Sequence, residues 1–146
     1  MNKKEMNNKG FSLVELIIVI AIMAILVGVL APQFIKYVES SRQSTDIQNA
    51  SEIKAAIEAY VAETDASGTI TVSTSSGNIV VSDGGGAGTG VDKALTDVGL
   101  SSSIACRSTG WPDVTVGSYS CTTYKWTATS CENTKDPKKN MNVVFQ

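Results

Sequence analysis

The residue best placed to do chemistry in this chain is a carboxylate in a setting that disfavours it. Glu15 lies four residues into FSLVELIIVIAIMAILVGVLA, residues 11–31, where 18 of 21 residues are apolar. An ionised acid in hydrocarbon costs about 2.5–3.5 kcal/mol even on insertion scales, so an acid kept there reads as functional, with a cation as its partner. The plainer reading, a side chain reaching headgroups at the interface, leaves the acid without a task. Catalysis finds no footing elsewhere. The chain has no histidine, so imidazole bases and ligands are excluded. No serine sits in a Gly-x-Ser-x-Gly elbow, and a cysteine nucleophile would lack its base.

The elements that must position Glu15 follow from the flanks. Residues 1–10, MNKKEMNNKG, carry three lysines against one glutamate and hold no apolar run. A basic stretch before a hydrophobic one is a targeting pattern that keeps the basic side in the cytoplasm. As a helix the 21 apolar residues rise about 31 Å, enough for a bilayer core of about 30 Å. A secretory cleavage site would fall after the run, near Gly28 and Ala31. The better bond is Gly10–Phe11, on the cytoplasmic side. Cutting there leaves the apolar segment on the mature chain and frees an α-amino group on Phe11, four residues from Glu15. Each charge alone is costly in an apolar setting; paired, they offset much of that cost.

Lys9-Gly10-Phe11-Ser12-Leu13-Val14-Glu15-Leu16, then aliphatics and Pro32, resembles the start of the type IV pilins and their relatives, the pseudopilins of type II secretion and DNA uptake. The resemblance is specific over about 25 residues; beyond residue 40 only the layout agrees. It implies that a membrane-embedded aspartyl prepilin peptidase cuts after Gly10 and methylates the new amine of Phe11. It also implies that Glu15 is the docking acid of assembly and that a pilus assembly platform handles the subunit. Ser12 stands where the family commonly has Thr, and a second helix-bending Pro common in the family is absent.

Beyond the apolar run no glycine occurs between Gly28 and Gly68, and Pro32 is the only proline there. Pro32 removes one backbone bond and should kink or loosen a helix rather than end it. Ile47, Ala50, Ile53, Ile57, Tyr60 and Val61 recur at steps of three and four, a single apolar stripe, with Glu52 and Glu63 pointing away. The layout is a leader, 1–10, a membrane or filament-core helix, 11–32, its amphipathic continuation, 33–65, and a head, 66–146. The fold class is α+β, with a long N-terminal helix against a small antiparallel sheet of three to five strands. An Asn49-Ala50-Ser51 glycosylation sequon falls on the helix with Ala50 on the buried stripe, which argues against its use.

Ten of the twelve glycines fall between Gly68 and Gly117. Residues 69–74 and 78–82 read as a hairpin about Ser75-Ser76-Gly77, and residues 83–90 as a glycine-rich loop. No Lys-Ser/Thr follows those glycines, so phosphate binding is disfavoured. Asp92 reads as the cap of a short helix, 93–98, closed by Gly99. Segments 114–116, 119–127 and 142–145 alternate as strands, with Asp136-Pro137 turning the chain. Asp83, Asp92 and Asp113 offer oxygens for calcium, but their spacing is not that of an EF-hand.

Cys106, Cys121 and Cys131 lie outside the membrane in this topology, where disulfides persist. Three thiols permit three single pairings and leave one over. Pilins often bridge a loop near the C-terminus, and that resemblance favours Cys121–Cys131 with Cys106 free. The spacing fits no zinc signature, and neither metal nor cofactor is expected. Trp111, Tyr119, Tyr124 and Trp126 form a core or, less simply, a sugar-binding patch. Lys135, Lys138 and Lys139 are a solvated turn before they are a phosphate contact; the net charge of −2 argues against a nucleic-acid partner as a general property.

The expectation is a non-enzymatic pilin that polymerises with its own copies through its N-terminal helix, in the cytoplasmic membrane as precursor and then at the cell surface. Adhesion, twitching motility and aggregation are its expected roles. Two other readings stand beside it: a pseudopilin, and a binding module tethered by a single span.

Overall fold

The computed structural model describes residues 10–84 and 90–146. The leader expected over residues 1–10, apart from Gly10, and the centre of the expected glycine-rich loop lie outside the described residues.

Helix α1 (Leu13–Glu63) starts where the residue types favour a start. Ser12 supplies the carbonyl for the first turn, accepting from the Leu16 N–H at 3.2 Å. Glu15, three residues on, accepts the Ser12 N–H on Oε2 at 3.0 Å, one half of a capping box. The helix runs through Pro32. It ends where Thr64 turns both its N–H and its hydroxyl onto the Tyr60 carbonyl, shortly before Gly68 takes φ +104°.

The chain divides into two compact units at Val38 and Glu39. In the first, residues 10–37 are all exposed, and the stretch is helical from Leu13 onward. In the second, the remainder of α1 lies against a five-stranded antiparallel sheet of order β3-β2-β1-β4-β5. The strands are β1 (Thr69–Ser75), β2 (Asn78–Asp83), β3 (Ser103–Ala105), β4 (Val114–Ser120) and β5 (Lys125–Ala128). The hairpin expected about Ser76-Gly77 is present. Both residues have positive φ, 50° and 75°, the two-residue turn whose twist matches that of paired strands. Ile70, Val72 and Thr74 of β1 and Ile79 and Val81 of β2 alternate inward. The stripe on α1 meets them with Ala50, Ile53, Ile57 and Val61, all buried, while Ile47 and Tyr60 are partly buried against the same core.

Between β1 and β4 the register slips by one residue: Val72 pairs with Gly117 but Ser73 with Thr115. The extra residue, Val116, resets the side-chain alternation, so Val116 and Tyr119 both face the core. Gly117 beside it is a packing requirement. A Cβ there would lie 2.7 Å from Phe145, whose ring packs at a tilt against Trp126 with centroids 4.8 Å apart, as Trp126 does against Tyr119 at 5.0 Å. Gly117→Ala should therefore cost about 1–3 kcal/mol of stability by overpacking, read as a lower urea midpoint of the detergent-solubilised subunit.

Several local expectations are corrected. Helix α2 (Gly90–Asp97) begins before Asp92, which lies within its first turn rather than capping it. A strand over 119–127 is broken at Cys121–Tyr124, where Tyr124 has φ +55° and its N–H returns to the Ser120 carbonyl; the two halves pair as a hairpin. Asn142–Phe145 is a 3-10 turn, not a strand, and it lowers Phe145 onto Gly117. The short edge strand β3 has no counterpart in the sequence pattern. The Asp136-Pro137 turn is present, with the Lys139 N–H on the Asp136 carbonyl at 2.9 Å.

The expected Cys121–Cys131 disulfide is not formed; all three cysteines are free thiols. The reason is the length of β1. The Cys121 N–H is held by the carbonyl of Gly68, at one end of that strand. The Cys131 sulfur lies against the Thr74 hydroxyl at the other. Six extended residues, about 20 Å, separate those anchors, whereas a disulfide needs Cα atoms within about 7 Å.

Candidate functional site

The N-terminal site is built from four residues. Gly10 and Phe11 precede the helix, Ser12 caps it, and Glu15 stands in its first turn. Nothing among the described residues requires glycine at position 10. An added Cβ would meet no atom within 4 Å, and its φ lies outside the range that excludes side chains. The Ser12–Glu15 hydrogen bond keeps the carboxylate at the helix start, on the backbone nitrogen next along the chain from that of Phe11. A carboxylate has about four acceptor sites, so one backbone donor leaves room for an amine. Residue types alone signal this geometry, since Ser-x-x-Glu before an apolar run is a capping-box pattern.

Around Glu15 the surface is uniformly greasy. Phe11 is 87% exposed and Leu13 73%, and every large apolar residue from Val14 to Ile35 is open. α1 is long and apolar enough to cross a membrane. A surface of this kind demands a cover of lipid or protein.

The second unit holds a buried acid that periodicity did not single out. Asp46 is completely buried on α1, in step with Ala50 and Ile53. Its carboxylate accepts the N–H groups of Arg107 at 2.7 Å and Ser108 at 3.0 Å, the Ser108 hydroxyl, and the Trp111 indole N–H at 3.0 Å. Glu39 performs a lighter version of the task, accepting the Thr109 N–H at 3.0 Å. The helix thus grips the segment between β3 and β4 by two carboxylates. An acid at a position that continues an apolar stripe was the available signal.

The other sequence candidates divide by surroundings. Trp111 and Tyr119 are core residues and Trp126 is half-buried, its indole N–H on Glu58 at 2.8 Å, whereas Tyr124 stands 67% exposed. Asp113 spends its carboxylate on the Ser76 N–H at the tip of the β1–β2 hairpin. Asp83 lies at the far end of that hairpin, paired with Ile70, so the structure does not bring these aspartates together. Lys135 donates to the Thr109 hydroxyl and Lys139 to the Ser44 hydroxyl.

Burial raises all three thiols above their ordinary range. Cys106 is pushed up to about 12, first by burial, then by the neighbouring Asp46 carboxylate and Cys131. The folded state thus favours the protonated thiol. That contribution is full below about pH 9, the unfolded thiol value, and is lost as pH rises through about 12. We expect iodoacetamide at pH 8 to leave the thiols of the folded subunit largely unmodified and to label all three after urea. Alkylated species counted by mass spectrometry give the check.

Residues 6–31 match the family described as "Prokaryotic N-terminal methylation motif". The chain is 38% identical over 85 residues to "Prepilin peptidase-dependent protein A" of Clostridium perfringens, covering 56% of this chain and 61% of that protein. It is 40% identical over 58 residues to "Type IV major pilin protein PilA" of Myxococcus xanthus, covering 40% of this chain and 26% of that one. The chain thus spans less than two thirds of the length of either curated relative. No solved structure matches it.

Proposed function

We propose that this chain, a type IV pilin-like protein, is a structural subunit that polymerises into a surface filament through its N-terminal helix. A prepilin peptidase hydrolyses the Gly10–Phe11 bond, and the freed amine of Phe11 is methylated. Until assembly the apolar stretch of α1 crosses the membrane; an assembly platform then lifts it into contact with other copies. In the filament the cationic nitrogen of Phe11 on one copy pairs with Glu15 of another. Adhesion, twitching motility and aggregation are the roles such a filament would serve.

The observation that carries this reading is the lone acid fixed at the helix start amid an exposed apolar surface. Lipid alone would cover the apolar residues equally well without Glu15. The Ser12 N–H takes one of the acceptor sites of the carboxylate, and a partner with a buried cation gives its charge a use. Gly10, around which the described residues leave room for a side chain, acquires a reason as the residue recognised by the peptidase.

The test is the N-terminus of the mature protein. Edman sequencing or intact mass should find a chain that begins at N-methylated Phe11. Gly10→Val should abolish processing, leaving full-length precursor in the membrane fraction. A native product that retains residues 1–10 would overturn the reading and favour a tethered module. Recovery of long filaments by shearing would separate a pilin from a short pseudopilin.

A further inference from the structure

The charges of the second unit are unevenly placed. Hydrogen bonds gather three stretches, residues 39–46, 107–109 and 132–139, about the first turns of α1 in that unit. Glu39 accepts the Thr109 N–H at 3.0 Å, and Asp46 the Arg107 N–H at 2.7 Å. Asn133 donates to the Thr109 carbonyl at 3.0 Å, and Lys139 Nζ to the Ser44 hydroxyl at 2.7 Å. Of the eight cations in residues 39–146, five fall in these stretches: Arg42, Arg107, Lys135, Lys138 and Lys139. Eight of the twelve acids fall outside them. The unit is thus polarised, with its cations concentrated where the chain enters it.

The acids at this end are largely spent. Asp46 is buried on its backbone and indole donors, Glu39 holds Thr109, and Asp136 accepts the Lys138 N–H at 3.2 Å; Glu132 is exposed. The cations are not spent. Arg42 reaches Glu39 only at 3.9 Å. Arg107, Lys135 and Lys138 are exposed, and with Lys139 they form no ion pair among the described residues. Connectivity keeps this end near the apolar run. Lys36 is the only charged residue from 16 to 38, and Lys36 and Tyr37 are of the types that settle where bilayer meets water. Arg42 follows Tyr37 by five residues of helix, about 8 Å, and a headgroup layer is itself about 5–8 Å deep.

We propose that this end of the second unit docks on anionic phospholipid headgroups while α1 spans the membrane, with Lys135, Lys138 and Lys139 on the lipid phosphates. The tether holds the three ammonium groups within reach of the bilayer, and a negative surface favours each of them there by about fivefold. The acids of the rest of the unit are repelled by the same surface, so the field selects which end turns toward the lipid. This inference rests on the reading that the apolar stretch of α1 crosses the membrane before assembly, and adds a lipid contact to that state.

The test uses the full chain in nanodiscs of phosphatidylcholine, alone or with about one third phosphatidylglycerol, which gives the surface a negative potential. Lysines are acetylated with a sulfo-N-hydroxysuccinimide ester, and the rate at each is read by mass spectrometry. Lys135, Lys138 and Lys139 should react at least about fivefold more slowly on the anionic discs. Lys125, exposed on β5, should react equally on both, and about 0.5 M NaCl should remove the difference. In the double variant Lys138→Glu, Lys139→Glu, Lys135 should lose its protection; protection that persists would show mere nearness imposed by the tether and overturn the inference. Equal rates on the two discs would overturn it too and leave the spanning and filament readings intact. So would protection by an added DNA duplex with none from phosphatidylglycerol, which would assign the lysines to nucleic acid. A chain that enters neither disc would sink the spanning reading and this inference together.

Discussion

Glu15→Leu yields a subunit that is cut after Gly10 and accumulates in the membrane but enters filaments at less than about one hundredth of the normal rate. The magnitude follows from the pair. Removing one member of a buried ion pair costs about 3–5 kcal/mol because the other is left uncompensated, and each 1.4 kcal/mol is a factor of about ten. Leucine fits the neighbouring apolar surface, so insertion and helix formation in the membrane persist. The structure adds a complication that a second variant resolves. Glu15 also accepts the Ser12 N–H, and loss of that cap weakens the helix start by about 0.5–2 kcal/mol. Glu15→Gln keeps an acceptor for Ser12 but cannot neutralise an ammonium. If charge is the essential quantity, the glutamine variant fails in assembly nearly as badly as leucine. Filaments at normal yield from Glu15→Gln would show that the cap, not the charge, is what assembly needs. Quantitative immunoblots of sheared and cell-bound fractions measure both.

The parts of the fold legible beforehand were those in which one local cause decides. The apolar run needs no tertiary context to be read as a helix long and apolar enough to span a membrane. Ser76-Gly77 flanked by alternating β-branched residues specifies its own turn. The stripe from Ile47 to Val61 fixes which face of α1 the sheet covers. Elements set by distant residues were hidden. β3 is three residues long and exists because β2 offers it an edge. The strand expected over 119–127 reads continuously because Thr122 and Thr123 suit strands, yet Trp126 must fold back opposite Tyr119 to stack with it. Residues 142–145 alternate like a strand, but Phe145 is required beneath Gly117, and a 3-10 turn delivers it there. The cysteine pairing failed for the same reason. A ten-residue spacing suggests proximity only when the intervening chain returns, and here the two thiols are pinned to opposite ends of β1. At the N-terminus, by contrast, Gly10, Phe11, Ser12 and Glu15 are near neighbours in the chain, so their arrangement was almost wholly readable.

Asp46→Ala should be the most damaging single change in the second unit. The carboxylate collects donors from three residues, Arg107, Ser108 and Trp111, in a site closed to water. Truncation leaves those groups without their acceptor, and each buried donor left unsatisfied costs about 1–3 kcal/mol. Partial rescue comes from within the cluster, since the Trp111 N–H also reaches the Ser108 hydroxyl at 2.9 Å. The net loss should still be at least about 3 kcal/mol, enough to unfold a marginal domain in part at 37 °C. Asp46→Asn should fall between the variant and the wild type. Its single carbonyl can keep one or two of the donors, but its amide adds two donors to a place already rich in them. Urea unfolding of the detergent-solubilised subunit, followed by Trp fluorescence, reports on the site directly because Trp111 is part of it. The loss of stability should be cooperative, with the β3–β4 segment and the core failing together, because Asp46 shares its stripe with Ala50 and Ile53. A midpoint within error of wild type would mean that water replaces the carboxylate without cost, and that the buried acid holds the segment in place without stabilising it.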